Sequence, residues 1–317
     1  MNLLLANLDF ALSVTGPIML VLALGVWLAH RGLLTDAFIE GGSRLVFNVT
    51  LPILLFVTIS QTHYAQAANL RLVTVGLAAT LVAYLIFELI ASAAVRPRQE
   101  RGVVVQGAFR SNMGIVGLAY CVNAYGDVAM ATASLYLGIV TILFNVLAVI
   151  TLNRSLSEHR SILPILRDIA RNPLILAILS ALPFAYYEVR LPDLLLQTGQ
   201  YFAQMTLPLA LLCTGGSMSL KALHLDSRNA LIGSFGKVVA TPLLTTATGY
   251  LAGLRGMELG ILFLMSSAPT AAASYVMARA MGGNGVLAAN IIVLSTLGSM
   301  IFTSLGITWL HGAGLLF

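Results

Sequence analysis

Apolar residues run along this chain in blocks of about 20, the length that spans a hydrocarbon core of about 30 Å, and short polar or basic clusters separate them. Ten blocks predict ten membrane-spanning helices, over 10–29, 44–61, 71–95, 102–125, 129–152, 173–189, 197–219, 229–253, 257–281 and 286–310. The connections are short, the longest being NRSLSEHRSILPILRDIARN, residues 153–172. The expected fold class is an all-α polytopic membrane protein.

Composition agrees. Of 317 residues 58% are hydrophobic and 9% charged, with mean hydropathy +0.92, against roughly 25% charged in soluble domains. The opening MNLLLANLDF has no basic n-region, so no cleaved signal peptide is expected. Cys121 and Cys213 lie in apolar segments and suggest no disulfide framework.

Charge orients the spans. One set of connections carries Arg31, Arg44, Arg96, Arg98, Arg101, Arg154, Arg160, Arg167, Arg171, Lys221, Arg228 and Arg279; the other carries Arg71, Arg190 and Arg255. The positive-inside rule places the richer set in the cytoplasm and both termini in the periplasm of a bacterial inner membrane. A count of nine or eleven spans would scramble this asymmetry. The formal charge of +5 is thus a topology signal and not a nucleic-acid signal.

The chain also matches itself at an offset of 156 residues. Thr50-Leu51-Pro52-Ile53-Leu54-Leu55 falls on Thr206-Leu207-Pro208-Leu209-Ala210-Leu211, Asn48 on Gln204, Pro17 on Pro173 and Ser111 on Ser267. This predicts two five-span units, 1–152 and 173–317, joined by the cytoplasmic linker 153–172. Five is odd, so the second unit is inverted, as in many secondary transporters whose sites lie where discontinuous helices meet.

Two spans carry break signals. In MSSAPTAAASYV (265–276), Ser266 and Ser267 can cap and Pro269 suits a first helical turn, so two half-helices are expected at about 257–267 and 269–281. Span 4 aligns with it through FRSNMGIVGLAY (109–120): Ser111, Asn112, Met113 and Gly114 fall on Ser267, Ala268, Pro269 and Thr270. Asn112 offers a cap and Gly114 loosens the backbone. Matching breaks in inverted units would meet near mid-membrane, with second-half N-termini offering N–H groups to an anion. A proline kink at SSAPT and a purely structural hydrogen bond from Asn112 are the plainer alternatives.

Glu88, Arg110 and Lys237 lie deep in spans, each roughly 12–14 Å from a cytoplasmic flank at about 1.5 Å per residue. Intramembrane charges face partners or wet cavities. Glu88 can neutralise one cation, leaving a net positive interior suited to a carboxylate. The alternative is a structural Glu88–Lys237 pair with Arg110 snorkelling to the cytoplasm. The five histidines form no metal-ligand spacing, and no HExxH, GxSxG or Walker-type loop is present. No catalytic or metal-binding residue is therefore assigned.

FNVTLPILLF (47–56), FRSNMGIVGLAY (109–120), NPLILAILSALPF (172–184), TLPLALLCTGGSMSL (206–220), KVVATPLL (237–244) and SSAPTAAASYVMA (266–278) together resemble the auxin efflux carrier family, in its compact bacterial members. The resemblance runs nearly end to end. It implies an elevator-type carrier in which spans 1, 2, 6 and 7 form a dimerising scaffold and spans 3–5 and 8–10 move. Substrate, a small mono- or dicarboxylate such as malonate, would bind beside the crossing of spans 4 and 9, where the family pattern falls on Ser111, Asn112, Met113, Gly114, Ser267, Pro269 and Thr270; the reading of charge and hydroxyls adds Arg110 and Ser266 to these candidates. Many relatives have proline in span 4 where this chain has Met113. No cofactor is implied, and coupling to protons, sodium or membrane potential stays open. A sodium-coupled symporter of the bile-acid type and a non-transporting sensor on the same fold are the competing readings.

Overall fold

In the computed structural model, residues 2–61, 69–156, 173–217 and 228–316 are described. All regular elements among them are helical. In chain order they are α1 (Asn2–His30), α2 (Asp36–Leu45), α3 (Leu51–Ser60), α4 (Leu70–Ala94), α5 (Arg101–Phe109), α6 (Leu118–Tyr125), α7 (Asp127–Leu156), α8 (Pro173–Tyr186), α9 (Asp193–Gly216), α10 (Arg228–Phe235), α11 (Thr241–Leu251), α12 (Gly256–Ser267), α13 (Ala273–Ala280) and α14 (Gly285–Gly312). Among the described residues five continuous helical runs are long and apolar enough to cross a bilayer: 36–60, 70–94, 127–156, 228–251 and 285–312. Shorter apolar helices accompany them at 16–30, 113–125, 176–186 and 256–267. The molecule is an all-α, multi-pass membrane protein. Most of the 153–172 linker, from 157 onward, lies outside the described residues.

Helix starts follow local capping. Thr35 accepts a 3.2 Å hydrogen bond from the Phe38 N–H, so helix begins at Asp36 instead of the expected residue 44. Hydropathy hides that first turn because α2 is amphipathic, burying Ile39 while Glu40 and Arg44 pair on its exposed side. Asn69 and Asn284 cap α4 and α14 in the same way, accepting from Leu72 and Leu287.

The prolines behave differently from one another. Pro52 and Pro242 each follow a five-residue π-helical turn, Val46–Thr50 and Gly236–Ala240. The widened turn absorbs the missing N–H and the ring clash without stopping the helix. Pro208, the repeat mate of Pro52, instead sits within the continuous α9. Of the repeated motif, Thr50 and Thr206 are buried, whereas Asn48 and Gln204 are exposed. Thr206 donates back to the Phe202 carbonyl, and Asn48 to the Arg44 carbonyl.

Two groups of helices emerge from the packing. In one, α9 lies against α1, α2 and α3, and α8 against α3. Gly25 and Gly215 mark the close approach of α1 and α9, where an added Cβ on either would meet the other helix's backbone. In the other, α5 packs on α4, α7, α10 and α14, while α11 packs on α4 and α12. Contacts of α1 with α14 and α6 join the groups.

Hydrogen bonds also define two ends of the second group. Arg98 donates to the Arg154 carbonyl, and Asn229 donates to the Arg96 carbonyl and the Glu100 carboxylate. At the opposite end Arg71 donates to the Ala252 carbonyl, Asn69 to Glu258, and Tyr125 to the Leu316 carbonyl. Within this group consecutive membrane-length segments therefore alternate in direction, and Arg96, Arg98, Arg101, Arg154 and Arg228 gather at one end.

Candidate substrate site at a helix crossover

The two break signals correspond to real interruptions. Helix α5 stops at Phe109, and Arg110 adopts an extended conformation (φ −83°, ψ 105°). Helix α12 stops at Ser267, and Ala268 is likewise extended (φ −56°, ψ 143°). The two linkers meet: Ser111 and Thr270 form an isolated antiparallel bridge, among the described residues the only β feature. The Asn112 N–H donates to the Pro269 carbonyl at 2.7 Å, and the Ala271 N–H to the Arg110 carbonyl at 3.1 Å. Backbone groups that lost their helical partners thus find each other, which non-helical backbone inside a bilayer requires.

Helix does not resume at Pro269. The Pro269 carbonyl serves Asn112 in the extended linker, and α13 begins only at Ala273. In span 4 a π-helical turn, Met113–Gly117, precedes α6. Asn112 occupies the cap position there, yet its side chain makes no capping bond; its carbonyl accepts from Val116 and Gly117. Gly114 opens that turn, and Gly117 lets it approach α12, since an added Cβ would lie 2.8 Å from the Met265 sulfur. The Ser266 hydroxyl also departs from a capping role, donating back to the Phe263 carbonyl.

Helix C-terminal ends leave carbonyls unpaired and carry a partial negative charge. Here side chains serve both. Thr270 Oγ1 donates to the Gly107 carbonyl at 2.6 Å, and Thr241 Oγ1 to the Ala108 carbonyl at 2.7 Å, at the end of α5. At the end of α12 the Lys237 ammonium donates to the Ser266 carbonyl at 2.7 Å and also to Ser111 Oγ. Ser111 Oγ donates to that same carbonyl, and Thr303 Oγ1 to the Ser267 carbonyl. The Thr270 N–H is held by Ser295 Oγ. Ser111, Asn112, Met113, Ser266, Ser267, Pro269 and Thr270 are all buried. Among the described residues the Ser267 hydroxyl has no hydrogen-bond partner.

The three intramembrane charges separate. Glu88 faces Arg154 at 3.4 Å, which corrects the pairing with Lys237 suggested by their equal depth. Arg110 does not run to the cytoplasmic surface; it is 6% exposed, donating to Asn145 Oδ1 at 2.7 Å and to the Met277 sulfur at 3.4 Å. Among the described residues neither Arg110 nor Lys237 has a carboxylate partner. Met281, one turn beyond Met277, lines a cavity of about 550 Å³ together with Pro97, Glu100, Leu156, Gly283 and Asn284. That cavity lies at the end holding Arg96 and Arg98.

Residues 13–307 match the family described as membrane transport protein, the auxin efflux carrier family that the motifs resemble. The chain belongs to that family. Both broken spans and the Lys237 turn fall inside the matched region. An uncharacterized transporter of Methanocaldococcus jannaschii is 24% identical over 304 residues, covering 91% of this chain and 95% of that protein. The protein is a membrane transporter, and its family is one of transporters and not of enzymes.

Several residues of this transporter's crossover carried no motif. Gln106 lies one turn before Arg110 and donates to the same Met277 sulfur, while its own side-chain oxygen has no partner among the described residues. Asn145 is an amide within the 30-residue apolar α7, a signal that buried polar groups in spans are functional candidates. Thr241, Ser295 and Thr303 bond to main chain, which the sequence does not mark.

Proposed function

We propose that this transporter is a secondary carrier of a small organic anion, a mono- or dicarboxylate of malonate size, which binds at the crossover beside Arg110. The observation that carries the reading is Arg110 itself: a buried guanidinium whose side-chain partners among the described residues are the Asn145 amide and the Met277 sulfur. A buried cation without a counter-charge bears a desolvation penalty of several kcal/mol, which an arriving carboxylate offsets. Guanidinium carries five donors in a fork that suits a carboxylate, and the described side chains occupy two. The N-terminal ends at Met113 and Ala273 add partial positive charge.

The two packing groups support an elevator-type carrier, with α1, α2, α3, α8 and α9 as scaffold and homodimer surface and the remaining helices as the moving body. The alternating directions support two inverted five-span units, 1–152 and 173–317, with ten spans in all. The basic end that gathers Arg96, Arg98, Arg101, Arg154 and Arg228 supports a cytoplasmic face there, periplasmic termini and residence in a bacterial inner membrane.

The test is a thermal-shift series on purified protein with formate, acetate, malonate and succinate, repeated on Arg110→Gln, followed by flux into vesicles. Carboxylate stabilisation that the variant loses is expected. Stabilisation by none of these anions, or an undiminished response in Arg110→Gln, overturns the reading; binding without flux would favour a sensor.

A further inference from the structure

We propose that the Lys237 side chain is a tethered stand-in for a bound monovalent cation, so that the crossover operates without sodium. The proposal rests on the reading of the crossover as the transport site, and it concerns the ion to which that site answers.

The ammonium lies where a hard cation would. Among the described residues its partners are both oxygens: a main-chain carbonyl at the C-terminal end of the 12-residue α12, and the Ser111 hydroxyl from the opposite break. The carbonyl end supplies a partial negative charge equivalent to roughly half an electron, and the hydroxyl completes a bridge between the two interrupted spans. Carbonyl and hydroxyl oxygens are the ligands hard cations select. Lys237 is fully buried and, among the described residues, has no carboxylate to neutralise it, so helix-end dipoles balance its charge.

The chain is shaped to deliver this group. The π-helical turn Gly236–Ala240 carries Lys237 toward the linkers. Gly236 permits the approach, because an added Cβ would stand 2.7 Å from Phe87 Cε1 and 2.9 Å from Ala108 Cβ. A free ion in the same place would have to bind and leave with every cycle, and its gradient would be coupled to transport. A covalently held ammonium stays, leaving the carrier to run on another force.

Thermal unfolding in NaCl against choline chloride at equal ionic strength tests this without knowledge of the substrate. Wild-type protein should unfold at the same midpoint in both salts, and Lys237→Arg should behave likewise. Lys237→Ala vacates the space and leaves both oxygens, so sodium should raise its midpoint in a saturable way that choline does not. Should Lys237→Ala not yield folded protein, the same comparison on Lys237→Ser, which also vacates the space, decides the matter. A saturable sodium-specific rise in the wild type, or sodium indifference in the neutral variant, overturns the proposal. A lost carboxylate response with intact sodium indifference would sink the anion reading and leave this one standing.

Discussion

Ser111 and Thr270 face each other as an antiparallel bridge where two interrupted helices cross, and each side chain also bonds a carbonyl at a broken helix end. Main-chain pairing and side-chain capping are thus done by the same pair. The crossing is a built element with its own hydrogen-bond pattern.

Thr270 should be needed for its hydroxyl. Thr270→Val leaves the buried Gly107 carbonyl without this donor, and an unsatisfied buried group costs about 1–3 kcal/mol. Unfolding in detergent should show that loss, and Thr270→Ser should recover most of it.

Arg110→Gln removes a charged donor and keeps an amide of similar reach. Hydrogen bonds to charged groups contribute about 1.5–3 kcal/mol, so the apparent affinity for the carboxylate should fall roughly tenfold to a hundredfold. Titration of substrate-dependent thermal shifts measures this directly.

Asn145 offers the converse experiment. Asn145→Asp would place a carboxylate at the 2.7 Å position now held by Oδ1, giving Arg110 an internal counter-ion. The protein should remain folded while its response to external carboxylates disappears, as read by the same thermal shifts.

Gly236→Ala should weaken the fold by about 1–3 kcal/mol, the usual cost of overpacking, because Phe87 and Ala108 leave no room for a methyl group. Denaturation in detergent would report it, and Gly41→Ala, where nothing lies within 4 Å, provides the control.

Much of this was legible in the residue order. Long apolar blocks announce the spans, and SNMG and SSAPT announce both breaks. What stayed hidden concerns partners that have no side-chain signature. Pro269 looks like a helix start, yet its carbonyl is taken by the Asn112 N–H and helix resumes four residues later. Glu88 and Lys237 share a depth but not a direction: one meets Arg154, the other the end of α12. Depth along a helix can be counted from sequence, whereas the face a side chain occupies depends on how the helices are rotated in the bundle.

The pair of bonds from Asn112 to Pro269 and from Ala271 to Arg110 has a mechanical consequence. Parting the two crossed helices to admit a solute would sever main-chain bonds in a medium that offers no replacement. On the elevator reading proposed above, access changes with the crossing intact, as the apolar flanks of its surrounding helices slide past α1 and α3. Under that reading turnover should respond to the thickness of the surrounding bilayer, since the sliding surfaces are apolar and meet lipid.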